Sequence, residues 1–318
     1  MSLQPISLYV AIPTFRRIGL LTTLLEGVAK QDVSRDEATV RVIVFDNDAG
    51  RSAEATVAGM RSTFPYPLDY ANVVEPGLAS VRNASLEAAC GGCDFLAMID
   101  DDECPEPQWL SALLAMQRSS LAEVVVGPVP PILPATAPRW VHEYRARELP
   151  VYPDGSLLLD GWSGNCLLDM RAITAFGVTF DRALDFAGGE DQLFFRQIVA
   201  RGGRIAYAAR AVAWEDTPPQ RRSLRFVLVR SFRRGNTLAI CDRRIYGRVR
   251  ATTWRSFKGL ATIVRGFGKA VNAARSRNAS GAVDGACDAM SGLGMLCGLL
   301  GVTYQAYRRP VATPVPAC

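Results

Sequence analysis

Three sets of acidic residues have the types and spacing for chemistry. The densest is Asp100-Asp101-Asp102-Glu103, which ends the apolar run Phe95–Ile99. An unbroken apolar run of strand length suits a strand buried on both faces, as in a parallel sheet. Four ionised carboxylates at its end repel one another and lose hydration near the interior, which a divalent cation with oxygen ligands would relieve. The second set is Asp46-Asn47-Asp48, closing the apolar run Arg41–Phe45. The third is Glu190-Asp191, at the start of a segment whose Phe194, Phe195, Ile198 and Val199 recur at helical spacing. Acidic residues complement the dipole in a first helical turn, and the same dipole keeps a carboxylate ionised, as a general base requires.

The elements that must position these groups alternate. Strands are expected at Ile6–Ile12, Arg41–Phe45, Leu68–Val74 and Phe95–Ile99, with helices at Leu20–Val28, Ser52–Arg61 and Leu78–Ala89 between them. Such alternation with short connections predicts a doubly wound α/β fold, a mostly parallel sheet flanked by helices. Its carboxyl edge gathers Thr14, Asp46–Asp48 and Asp100–Asp102, where open α/β sheets bind nucleotides. Neither GxGxxG after the first strand nor GxxxxGK[ST] anywhere is present, which disfavours a dinucleotide dehydrogenase and a P-loop NTPase. Further on, helices are expected at Trp109–Gln117 and from Glu190 to a Gly202-Gly203 stop, and strands at Glu123–Gly127, Leu157–Asp160, Asn165–Asp169 and Arg204–Ala208. Ala211–Trp214 reads as extended, and Pro128–Pro138, with five prolines, as a surface loop.

With 318 residues, of which 49% are hydrophobic, the chain can bury a large core. Eight scattered cysteines and a single histidine fit a reducing compartment and packing roles rather than a zinc site. The amino terminus has no basic-then-apolar leader pattern. The net charge of +5 is uneven: Arg221–Arg255 holds eleven arginines against Asp242 alone, a local +10, so the remainder totals −5. A basic face of this kind suits phosphates of nucleotides, lipids or nucleic acid. Ala289–Tyr307 is almost uncharged and of near-spanning length, so a membrane-associated segment and a helix packed on the catalytic domain are both open.

The ordered set Ile12-Pro13-Thr14-Phe15-Arg16, Asp46-Asn47-Asp48, Gly77-Leu78-Ala79-Ser80-Val81-Arg82-Asn83, Asp100-Asp101-Asp102 and Gly189-Glu190-Asp191 resembles the family 2 glycosyltransferases. The resemblance spans roughly Ile6–Gly235. It is nearest to bacterial exopolysaccharide enzymes of the succinoglycan type, through Trp214–Arg222 and Arg230–Gly235. It implies the GT-A fold and transfer of a sugar, with inversion, from a nucleotide diphosphate to a hydroxyl, aided by Mn2+ or Mg2+. A UDP-sugar is the expected donor, and a glycan or lipid-linked oligosaccharide the expected acceptor. Carried over, Asp46–Asp48 meets the nucleotide base, Pro13, Thr14, Arg16, Arg82, Asp100 and Asp101 line the donor pocket, Asp102 binds the metal and Asp191 is the base. Asn165, Glu190, Glu215, Arg230 and Arg233 are further candidates, Glu215 or Asp216 standing where many relatives have a histidine.

The resemblance also divides the chain into a catalytic domain at 1–235 (nucleotide-sugar half 1–105, acceptor half 106–235) and a helical region at 236–318. The expected location is cytoplasmic, peripheral on the inner face of the cell membrane, with an anionic membrane surface as partner and no nucleic acid. Without the QxxRW motif or multiple apolar spans, the expected enzyme adds one sugar and is not processive. The rivals are a sugar nucleotidyltransferase, against which Pro13-Thr14-Phe15 replaces the usual glycine-rich signature, and a nucleic-acid-binding module using the Arg221–Arg255 face.

Overall fold

A computed structural model describes residues 5–149 and 151–305. Its first part alternates as β1 (Ile6–Thr14), α1 (Ile18–Val28), β2 (Ala38–Asp46), α2 (Glu54–Met60), β3 (Leu68–Asn72), α3 (Leu78–Ala89) and β4 (Phe95–Ile99). There follow β5 (Glu103–Pro105), α4 (Trp109–Ser120), β6 (Val124–Val126), β7 (Pro131–Ile132), α5 (Arg139–Glu148), β8 (Leu157–Leu158) and β9 (Asn165–Asp169). The rest is α6 (Met170–Phe176), α7 (Glu190–Ala200), β10 (Ile205–Tyr207), β11 (Ala213–Asp216) and three long helices, α8 (Leu224–Tyr246), α9 (Arg248–Arg275) and α10 (Ala279–Leu299).

Eight strands form the main sheet in the order β3-β2-β1-β4-β9-β6-β10-β8. Pairing is parallel except at β9, antiparallel to both β4 and β6, and at β8, antiparallel to β10. The two-residue period of a strand divides the core. Leu8, Val10 and Ile12 of β1, with Phe95, Ala97 and Ile99 of β4, face α1 and α4. Ala11, Leu96 and Met98 face the other layer, which includes Phe194, Phe195 and Ile198 of α7.

Register then assembles the crevice. Thr14 pairs with Asp46, Ala11 with Met98, and Ile99 with Asn165, so β9 starts at the same edge where β1, β2 and β4 end. A second sheet, β5-β11-β7, lies beyond that edge. It adds one strand and corrects one expectation. Glu103 belongs to a strand, and the proline-rich loop contains β7, because β11 offers both of them backbone partners. The strand expected over Leu157–Asp160 shrinks to two residues, and α2 starts at Glu54 rather than Ser52.

The boundary expected at residue 235 falls inside α8. Gly235 is there because α10 lies directly on it: a Cβ would sit 1.8 Å from the Ser291 carbonyl oxygen. Gly266 of α9 and Gly285 of α10 touch the same way, each Cβ position 2.5–2.6 Å from the other's carbonyl. The uncharged stretch from Ala289 to Leu299 is therefore a helix wedged between α8 and α9, with Gly292, Gly294, Met295 and Gly298 buried. Among the described residues no helix is long and apolar enough to cross a membrane. The last residues of that stretch, 306 and 307, lie outside the described residues.

Candidate active site

Each acid of the run after β4 has its own surroundings. The Asp100 amide donates to Gly164 O at 3.2 Å and the Glu103 amide to Asp100 O at 3.1 Å, closing a tight turn into β5. Asp101 turns back toward β1, accepting from Thr14 Oγ1 at 2.8 Å and Arg17 Nη1 at 2.9 Å. Asp102 lies between two arginines, with Arg17 Nη1 at 3.2 Å and Arg221 Nη2 at 3.1 Å. Its backbone is fixed by β11, whose Asp216 amide donates to Asp102 O at 3.2 Å. Glu103 is buried opposite Glu215, and its Oε2 has no hydrogen-bond partner. Glu215 is held by Arg145 Nη2 at 2.8 Å and by Arg221 Nη1.

Burial dominates the proton affinities here. It pushes the Asp102 carboxyl up to about 6, with Asp100 adding to the rise while Arg221 and Arg17 oppose it. Burial raises Glu103 well above the usual carboxylate range, reinforced by Asp100, Asp102 and Glu215. Burial also raises Asp101, against the pull of Arg17. Asp100, Asp101, Asp102, Glu103 and Glu215 are thus partly balanced by Arg17, Arg82, Arg145 and Arg221 within one crevice.

Helix α7 delivers the second carboxylate site. Gly189 precedes it at φ +89°, a left-handed conformation a side chain disfavours, and a Cβ there would also meet Thr237 Cγ2 at 2.0 Å. Glu190 is buried and paired with Arg82 Nη1, while Arg82 Nη2 reaches Asp100 at 3.2 Å. One guanidinium therefore ties the acidic strand end to the start of α7. Asp191 is half-buried, its Oδ1 accepting the Gln192 amide at 2.7 Å. Burial raises both the Glu190 and Asp191 carboxyls, and Arg82 pulls each the other way.

Helix α3 fixes the approach to α7. Asp185 accepts from Ser80 N at 3.0 Å and from Ser80 Oγ at 3.1 Å. Asn83 exchanges two 2.8 Å hydrogen bonds with the Phe180 backbone.

The turn after β2 takes a different part from the one its sequence suggests. Asp46 is fully buried; Oδ1 accepts Asp48 N at 3.0 Å, and Oδ2 accepts Ala53 N at 2.8 Å and Tyr70 Oη at 3.1 Å. Both oxygens serve the turn, so Asp46 shapes this corner rather than facing the crevice. Asn47 is likewise occupied, donating to Val73 O and Glu75 O and accepting from Gly77 N. Asp48 pairs with Arg16 at 2.9 Å, and this contact holds its carboxyl below the usual range.

Pro13 is buried in β1 opposite Phe45. Asn165 is a buried hub, accepting from Trp109 Nε1 at 2.7 Å and donating to Pro128 O and Ala211 O at 3.0 and 2.7 Å. Arg230 of α8 lies 3.7 Å from Glu148 of α5, and Arg233 lies about one turn further along the same helix.

Sequence reasoning missed Arg17, Arg145, Arg221 and Gly164 as site residues. Arg17 and Arg221 had a legible signal, being cations that closely follow the strands β1 and β11. Gly164 had none, yet a Cβ there would lie 2.4 Å from Glu103 Oε1 and 3.1 Å from Asp100 Oδ2. Cys166 and Cys241 are core residues as expected, whereas Cys90 is exposed.

The site fits a hard divalent cation of the kind held by one or two carboxylates and completed by substrate phosphates. Its donors are carboxylate oxygens, and Asp102 combines a raised proton affinity with a close, repelling Asp100. Among the described residues no three His, Cys, Asp or Glu side chains form a cage.

Residues 9–176 match the family model described as glycosyl transferase family 2, which is more than half of the chain. The chain belongs to the family 2 glycosyltransferases. As a member of that family it is an enzyme, and the sugar nucleotidyltransferase reading gives way. It is 37% identical over 229 residues to the succinoglycan biosynthesis protein ExoM of Rhizobium meliloti (strain 1021), covering 72% of each chain.

Among solved structures, the mannosyltransferase PcManGT of Pyrobaculum calidifontis, in complex with GDP-Man and Mn2+, aligns at a TM-score of 0.61. Identity is 16%, with 92% of this chain and 87% of that one covered. S. aureus TarS 1-349, in complex with UDP-GlcNAc, aligns at 0.55 with 14% identity and 93% and 92% coverage. At such identities the likeness is one of fold, and the fold is GT-A.

Proposed function

We propose that this glycosyltransferase moves one sugar, with inversion and with Mn2+ or Mg2+, from a nucleotide-diphosphate sugar to a hydroxyl of a growing glycan. The observation that carries this reading is Arg82, which joins Asp100 to the Glu190–Asp191 helix start and so sets two carboxylate sites on one crevice. A UDP-sugar donor and a lipid-linked oligosaccharide acceptor, in exopolysaccharide assembly on the cytoplasmic face of the membrane, are supported by the kinship with the succinoglycan protein.

The chemistry is a single displacement. The acceptor oxygen forms a bond to the anomeric carbon, the bond to the phosphate oxygen breaks, and the electron pair leaves with the nucleoside diphosphate. Asp102 would hold the cation, which when bound supplies positive charge to the departing diphosphate. Arg17 and Arg221 add fixed positive charge beside Asp102. Asp191 takes the proton of the attacking hydroxyl, and its burial-raised proton affinity suits that role. Arg82 and the α3 contacts keep the start of α7 where that proton is released.

Titration calorimetry beside a transfer assay separates the two sites. Asp191→Asn is expected to keep nucleotide affinity within a few-fold while turnover falls by roughly 10²–10⁴. Asp102→Asn is expected to weaken cation-dependent donor binding as well. Near-normal turnover in Asp191→Asn removes it as the base and leaves Glu190 as the nearest alternative.

A further inference from the structure

Helix α9 is the outermost of the three C-terminal helices, and its two faces are unlike. Ala251, Gly259, Gly266 and Ala273 are buried toward its neighbours. On the opposite side Trp254, Phe257, Leu260, Val264, Phe267 and Val271 are each more than half exposed. At roughly 100° per residue these six fall within an arc of about 140°. A contiguous exposed stripe of this size is uncommon on a surface facing only water and marks a contact with something apolar.

The charge of α9 says what that contact is. The helix has seven basic residues and no acid. Arg255 is held by buried Asp242, and Arg265 and Lys269 pair with Asp288 of α10. Of the other four, Arg248 opens the helix on its inward side, and Arg250, Lys258 and Arg275 lie along or beside the stripe. Arg250 and Arg275 lie in line with it at its two ends, and Lys258 Nζ sits 4.5 Å from the Trp254 ring centroid. A second copy docked on this stripe would set Arg250 and Arg275 against cations with no acid on the helix to meet them. A negatively charged lipid surface meets both the apolar stripe and the basic border.

We propose that α9 is an interfacial helix, lying flat with its Trp254–Val271 stripe in the headgroup–acyl boundary of an anionic leaflet. Arg250, Lys258 and Arg275 then reach lipid phosphates along their alkyl stems. The helix lies on the membrane rather than through it, since no described helix can cross. This places the membrane contact on α9, not on the Ala289–Leu299 stretch, which is covered by α8 and α9. The inference stands apart from the transfer reaction, because α9 would dock whether or not the acceptor carries a lipid.

Vesicle flotation of the full chain tests it, comparing phosphatidylcholine alone with phosphatidylcholine containing about one-third phosphatidylglycerol. The parent is expected to float with the anionic vesicles and to be released by salt. Phe257→Ser/Phe267→Ser changes two exposed positions, so its circular dichroism melt should match the parent while its binding falls by roughly tenfold or more. Arg250→Gln/Lys258→Gln should lower binding to near the neutral-vesicle level.

Absence of flotation by the parent overturns the proposal. So does undiminished flotation of the phenylalanine pair, which would move the contact elsewhere. A concentration-dependent dimer in sedimentation velocity, lost in that pair and unaccompanied by vesicle binding, would make the stripe an interface between copies. Sugar transfer measured on the same samples keeps the two readings apart: a chain that floats without transferring sugar counts against the proposed donor and acceptor and leaves α9 intact.

Discussion

Replacing Arg82 with methionine removes a buried guanidinium and leaves a side chain of comparable length. Arg82 is 5% exposed and Glu190 2%, so the carboxylate left behind cannot hydrate. Breaking a buried pair by removing one partner costs about 3–5 kcal/mol. The Asp100 contact adds little, because that carboxylate is 36% exposed and water replaces the lost partner. The penalty depends on pH. Glu190 is already raised by burial, and losing Arg82 raises it further. The folded state then binds a proton that the unfolded chain, titrating near ~4.3, has lost, so stability declines as pH rises toward the folded pKa. Within that window the slope is about 1.4 kcal/mol per pH unit.

Urea unfolding followed by circular dichroism at pH 5, 6, 7 and 8 should therefore show a defect, relative to the parent whose own Glu190 is raised to about 7, that grows mainly between pH 7 and 8. The double variant Arg82→Met/Glu190→Gln should recover much of the loss at pH 8. Equal destabilisation at pH 5 and pH 8, or no recovery in the double variant, would refute this account of Arg82.

Three other outcomes are expected. Asp102 has a carboxyl raised to about 6, so protons compete with the cation below that pH, and Mn2+-dependent nucleotide binding by calorimetry should weaken by about tenfold per unit below it. Gly164→Ala places a methyl 2.4 Å from Glu103 Oε1, which should lower stability by ~1–3 kcal/mol and reduce transfer, read from unfolding and initial rates. Asp242→Asn weakens contacts to Arg196 at 2.8 Å and Arg255 at 2.6 Å and should cost ~3–5 kcal/mol in chemical unfolding, with donor binding retained by the remaining folded fraction.

The first half of the fold was legible because each of its strands carries its own signal. Phe95–Ile99 is buried throughout, and Leu78–Ala89 forms helix over the very residues its pattern marks. The direction of β9 was not legible, since a strand buried on both faces reads alike parallel and antiparallel. The strands β5 and β7 escaped notice because they exist through pairing with β11, a long-range contact that no local pattern records. Among the candidate site residues, Asp102 was readable as an acid just past a strand and Arg17 and Arg221 as cations following strands, but their pairing was not, Arg221 being far away in sequence. Asp46 shows the converse: an acid at a strand end advertises a ligand site, and only the Ala53 amide and Tyr70 hydroxyl reveal that its oxygens are already engaged.

The glycine contacts that seat α10 between α8 and α9 bear on how motion travels through the chain. Packed helices slide past one another by re-seating a layer of side chains. Where Gly235 meets Ser291 and Gly266 meets Gly285, backbone rests on backbone and that layer is missing. The three helices then act as one stiff beam, whose near end is the turn holding Arg221 against Asp102 and whose far side is α9. Their protected amides should exchange with solvent as a single unit of common opening free energy. A load applied to the outer helix would reach the acidic crevice without being absorbed on the way.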